Sequence, residues 1–130
     1  VTWRLWLPVA CYAALIFTLS SIPNLTPPVR VANADKLAHC LEYGCFGLLL
    51  YRATRLTWRD RSAVFPIVLT VLIGLTIAVL DELYQGTVHG RTKSVYDAMA
   101  DVCGVTLAAL VGQWIAHIWM EKRREVNARP

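Results

Sequence analysis

Phe65-Pro-Ile-Val-Leu-Thr-Val-Leu-Ile-Gly-Leu-Thr-Ile-Ala-Val-Leu80, followed directly by Asp81-Glu82-Leu-Tyr-Gln85, decides how this chain is read. The eighteen residues from Ala63 to Leu80 carry no charge, and a helix needs about 18–20 apolar residues to cross a hydrocarbon core. The run then ends on two adjacent carboxylates. Ionisable groups bordering an apolar span are costly there, so they mark a functional site or a pairing network between helices.

The rest of the chain repeats this pattern. It is 56% hydrophobic and 17% charged, whereas soluble domains are about a quarter charged. Its mean hydropathy is positive at +0.45. The first span runs from about Leu5 to Ile22 without a charge. Ser20-Ser21-Ile22-Pro23 is a poor small-x-small cleavage site, so this reads as a retained helix rather than a signal peptide. A Pro, Asn and Thr cluster from Pro23 to Pro28 forces a loop. The second span, 37–55, is the least apolar, with Asp35 placed to cap its start and Arg52 and Arg55 at its end. The third covers 63–84, with Pro66 tolerated in its first turn. Gly86 to Lys93 form a polar turn. The fourth, 97–120, opens on Ser94-x-x-Asp97, which resembles a capping box, and carries no formal charge from Val102 to Met120. A polar tail from Glu121 to Pro130 is expected to fray. The fold class is therefore all-α, a four-helix transmembrane bundle, and residues 1–130 read as a single domain with no internal repeat.

Orientation follows from the distribution of Lys and Arg. With a cytoplasmic N-terminus, the inner side receives Arg4, the four arginines from Arg52 to Arg61, and Lys122, Arg123, Arg124 and Arg129. The outer side receives only Arg30, Lys36, Arg91 and Lys93. Both termini are thus expected inside, and the basic residues act as topology determinants. The net charge of +4 forms no basic stripe on a soluble face, which argues against nucleic acid as a partner. Cys11, Cys40, Cys45 and Cys103 form no Cys-x-x-Cys pair and read as small packing residues. The five tryptophans fall mostly near span ends, as an interfacial belt.

Topology gathers the acids. The start of span two, the end of span three and the start of span four share the outer level. Asp35, Glu42, Asp81, Glu82, Asp97 and Asp101 therefore converge there, together with His39. Asp81 and Gln85 share a helix face at i, i+4, as do Asp97 and Asp101. Asp81 and Glu82 lie at a helix C-terminus, where the dipole disfavours negative charge. Arg91 is the nearest cation whose fork suits a carboxylate, so an Arg91–carboxylate pair is expected. Gly44, Gly47, Gly74, Gly104 and Gly112 permit close helix approach.

Asp35-Lys36-Leu-Ala-His39-Cys-Leu-Glu42-Tyr43 resembles the opening motif of the VanZ-like family of bacterial membrane proteins. Asp81-Glu82-Leu-Tyr-Gln85, then Gly90-Arg91-Thr-Lys-Ser94-Val-Tyr-Asp97, is similar to its second motif, and Asp101-Val-Cys-Gly104 continues the pattern. The resemblance extends from Asp35 to about Gly112. The chain departs from it at Asp101, where members often carry Asn, and at His89, where many carry Pro. The family takes its name from an accessory protein of glycopeptide resistance associated with teicoplanin. The resemblance implies a multi-pass protein of the bacterial inner (cytoplasmic) membrane acting at the cell envelope, and carries no established reaction.

Three readings of the polar residues follow. In the first, an outward-facing pocket binds an envelope ligand: a glycopeptide antibiotic, a peptidoglycan precursor or a lipid headgroup. Its residues are Asp35, Lys36, His39, Glu42, Tyr43, Asp81, Glu82, Gln85, Arg91, Ser94, Asp97 and Asp101. Lys36, Arg91 and Lys93 would hold a carboxylate or phosphate, and the acids an amine. In the second, an intramembrane enzyme acts on a lipid-linked cell-wall substrate, with Glu42, His39 and Asp101 as acid–base candidates. A divalent metal on Asp35, His39, Glu42 and Asp81 is the variant of that reading. In the third, the acids, His39 and Arg91 are a salt-bridged seam between helices. Six carboxylates against four outer cations exceed what a seam requires, which favours binding, with catalysis as the alternative.

Overall fold

The computed structural model describes residues 2–23 and 33–128. Most of the loop expected from Pro23 to Pro28, with Arg30 and Arg129, lies outside them. The described residues form four helices and no strand: α1 (Trp3–Ser20), α2 (Ala34–Thr57), α3 (Val64–Gln85) and α4 (Val95–Asn127). A polar turn, 58–63, separates α2 from α3, and a polar turn containing Gly86 and Gly90, 86–94, separates α3 from α4.

Helices α1, α3 and α4 are each long and apolar enough to cross a membrane. Helix α2 has 24 residues, about 36 Å at 1.5 Å per residue, but its sequence is too polar to match them. Its place in the bundle explains this: α2 packs against all three other helices, and Tyr43 and Thr54 are buried among them. Helix α4 continues to Asn127, which corrects the expectation of a frayed tail from Glu121. The basic run Lys122-Arg123-Arg124 lies on that helical extension, exposed.

Burial is inverted relative to a soluble domain. Leu7, Leu41, Leu48, Leu72, Leu75, Leu83 and Leu107 are exposed, while Thr54, Thr70, Asp81, Glu82, Gln85 and Asp101 are buried. With hydrocarbon as solvent, apolar side chains gain nothing by turning inward, and polar ones must find partners within the bundle. Thr54 and Thr70 do so, their hydroxyls 3.0 Å apart between α2 and α3. Cys11, Cys45 and Cys103 are also on the outer surface, so three of the four cysteines are not the internal packing residues expected of them.

Helices α2 and α4 run parallel in a fixed register. His39 meets Asp101 at 2.9 Å, and Tyr51 donates to Gln113 at 2.6 Å, each residue of α2 meeting the one 62 positions on. Glycines set this contact. A Cβ on Gly104 would strike the Cys40 carbonyl oxygen, and one on Gly47 would come within 2.9 Å of both Val105 Cα and Ala108 Cβ. Gly44 has room, its nearest neighbour being 3.9 Å away. Consecutive helices alternate in direction. At one pole Trp6 of α1 donates to Thr57 at the end of α2 (3.0 Å), and Trp58 packs edge-on to Trp6 and Phe65. At the other, Ser21 meets Tyr84 at 2.9 Å. The carboxylates gather at this second pole.

Candidate functional site

Helix ends build the site. Ser94 caps α4 by accepting from the Asp97 N–H at 3.2 Å, and the Ser94 N–H donates to Glu82 Oε2 at 2.8 Å. Glu82 thus sits at the C-terminal end of its own helix but against the positive N-terminal end of α4, which offsets the unfavourable dipole of α3. Asp81, one residue earlier, accepts from Gln85 Nε2 at 2.9 Å. That is the i, i+4 contact expected between them. The same amide donates to Ser20 Oγ of α1 at 3.1 Å.

Arg91 does not pair with a carboxylate. Its Nη2 donates to the Leu19 carbonyl at 2.9 Å and its Nε to the Ile22 carbonyl at 3.2 Å. The guanidinium therefore satisfies the end of α1, where orphan carbonyls and the negative dipole attract a cation. This overturns the expected Arg91–carboxylate pair. Lys36 does engage acids, at 2.8 Å from Asp35 Oδ2 and 3.5 Å from Asp97 Oδ1. Asp35 stands at the rim rather than capping α2, whose N-cap is Asn33 with φ 62°. Its hydrogen bond from Lys36 holds the Asp35 carboxyl below the ordinary carboxylate range and raises the Lys36 ammonium in return.

Deeper in, cations run out. Asp101 is fully buried and its Oδ1 lies 2.9 Å from His39 Nδ1. No lysine or arginine forms an ion pair with Glu42, Asp81, Glu82 or Asp101 among the described residues. One oxygen of each of these four acids, and the Tyr43 hydroxyl, are sealed from solvent without a hydrogen-bond partner there. Such groups are rare because each forfeits its hydration. His39, Glu82 and Asp101 each present a ligand-type atom, all within 4.8 Å of one another. Of the metal set expected from sequence, only His39 belongs to this group; Asp35 is at the rim and Asp81 faces Gln85.

Beside this centre lies a cavity of about 650 Å³ whose lining includes Tyr12, His39, Glu42, Gln85, Arg91 and Asp97. Helix α1 contributes to the site beyond what the motifs of α2, α3 and α4 indicate. Ser20 bonds Gln85, and Tyr12, stacked on Phe46, forms part of the wall. Ser20 ends the first span at the same pole as the acids, which the alternation of spans makes predictable; Tyr12 carries no comparable signal.

The VanZ/LLP1 family model matches residues 4–118. The chain belongs to the VanZ/LLP1 family. No curated protein and no solved structure matches it. The VanZ/LLP1 match begins in α1, so it covers the helix that supplies Ser20 and Tyr12 as well as the acidic motifs of α2, α3 and α4.

Proposed function

We propose that this VanZ/LLP1 member is a multi-pass protein of the bacterial cytoplasmic membrane, with both termini inside. In this reading its polar pocket faces outward and receives the polar group of an envelope ligand. The ligand classes are a glycopeptide antibiotic, a peptidoglycan precursor and a lipid headgroup, and a role in teicoplanin resistance accompanies the first two. One observation carries the reading: a cavity of about 650 Å³ lined by Glu42 and His39 beside carboxylate oxygens that have no partner among the described residues. A helix seam would use its acids internally. Lys36 and Arg91 are already engaged, so the simple form in which they grip an anion gives way to recognition through the acids. The ligand presents an amine or meets the site through a bound cation.

The test is retention of defined ligands by the purified protein in nanodiscs. Teicoplanin, a lipid-linked peptidoglycan precursor and aminophospholipid are titrated separately and followed by native mass spectrometry. Saturable binding of one class, weakened about tenfold or more by Glu42→Gln as expected for loss of a charged contact, supports the proposal. Failure of all three to saturate rejects it.

The His39–Asp101 pair favours a second reading. A carboxylate fixing one imidazole nitrogen leaves the other free for general-base work. Incubation with lipid-linked cell-wall precursors, with and without chelator, separates the two: products of altered mass support an enzyme, and unchanged ligand supports a binder.

A further inference from the structure

We propose that His39, Glu82 and Asp101 form a binding site for one divalent transition-metal ion, with zinc or manganese as the matching class. Each ligand comes from a different helix, α2, α3 and α4, the arrangement by which helical bundles build internal metal centres. The three ligand-type atoms lie within 4.8 Å of one another. The His39 Nδ1 to Asp101 Oδ1 distance is 2.9 Å. Two ligands of a common ion, bound at about 2.0–2.1 Å, stand roughly 2.8–3.4 Å apart at octahedral to tetrahedral angles. Glu82 offers the third ligand atom within the same 4.8 Å spread.

Burial supplies the independent argument. Asp101 is 0% and Glu82 7% exposed, and Asp101 Oδ2 and Glu82 Oε1 have no hydrogen-bond partner among the described residues. Two desolvated carboxylates side by side are tolerated only with a cation or a proton between them. Lys36 is held by Asp35 and Asp97, and Arg91 by the carbonyls of α1. His39 alone supplies at most one proton. An ion of charge +2 balances both acids and leaves His39 neutral as a ligand. One nitrogen and two carboxylate donors suit Zn²⁺ or Mn²⁺; Ca²⁺ wants six to eight oxygens, and Mg²⁺ keeps most of its water. The inference deepens the envelope-ligand reading, and rests on it for its consequence: the ion gives an acid-rich pocket the means to receive a phosphate or carboxylate.

The experiment uses the full chain in detergent, stripped with chelator and dialysed. Zn²⁺ and Mn²⁺ uptake are measured by elemental analysis and calorimetry, and Co²⁺ substitution by visible absorption. The expected result is one equivalent of metal, ligand-field bands with Co²⁺, and affinity lowered at least about tenfold in His39→Gln and Asp101→Asn. His117→Gln, which removes the exposed His117–Glu121 pair at 3.5 Å, leaves uptake unchanged. No uptake by the unmutated protein overturns the site. So does uptake that survives both His39→Gln and Asp101→Asn, or that disappears with His117→Gln. The Co²⁺ bands are read on unmutated protein, so the test stands even where a variant fails to fold. Ligand retention is then compared in stripped and loaded protein. Equal retention removes the metal from ligand binding and leaves the binding reading intact. Metal uptake without retention of any envelope ligand leaves the metal site and removes the binding reading.

Discussion

At the scale of single residues, Arg91 carries the lesson. Its guanidinium closes a helix end through the Leu19 and Ile22 carbonyls, so Arg91→Ala should lower unfolding stability by about 1 kcal/mol, the range for a cation at a helix C-terminus. Breaking a buried ion pair would cost about 3–5 kcal/mol. Thermal unfolding of the detergent-purified variant distinguishes the two, and a loss near the larger figure would contradict the capping role. Sequence made the residue types and their gathering at one end of the bundle legible: Asp81 with Gln85 and Ser94 with Asp97 are local pairs fixed by helical spacing, and both stand as expected. Long-range partners were not legible in the same way. Whether Arg91 turns to Asp81 or to Leu19 depends on where α1 ends in space, and no spacing rule within residues 81–97 contains that information.

At the scale of elements, small residues decide how closely helices approach. Their presence in the apolar runs was readable, but which of them marks a crossing depends on helix rotation. The structure separates two cases. Gly104→Ala places a methyl against the Cys40 carbonyl, whereas Gly44→Ala meets its nearest neighbour at 3.9 Å. Gly104→Ala should therefore lower stability by about 1–3 kcal/mol, as overpacking does, and Gly44→Ala should stay within about 0.5 kcal/mol. Melting curves of the two variants side by side check this, and equal effects would refute the assigned crossing. Hydropathy likewise revealed the spans of α1, α3 and α4, while α2 was read from its flanking residues. The polarity that weakens α2 as a membrane segment is the polarity the centre of the bundle uses.

At the scale of the whole molecule, alternation of helix direction is what brings residues 39, 82 and 101 together. It also fixes a testable sidedness. In a cysteine-free background, Thr87→Cys should react with a membrane-impermeant thiol reagent applied to intact cells, and Asp60→Cys should react only after lysis. Both positions are exposed, so access to the reagent depends on the side of the membrane alone. The reverse pattern would invert the orientation and turn the pocket toward the cytoplasm.

One packing feature has a mechanical outcome. Helix α1 lies against α2 and α3, and its backbone does not approach that of α4 among the described residues, yet Ser20 and Tyr12 of α1 and Asp97 of α4 border the same cavity. The cavity is thus walled in part by two helices whose backbones stand apart. A guest there would bridge the two, tying α1 to α4 through contacts that the backbone packing alone does not provide.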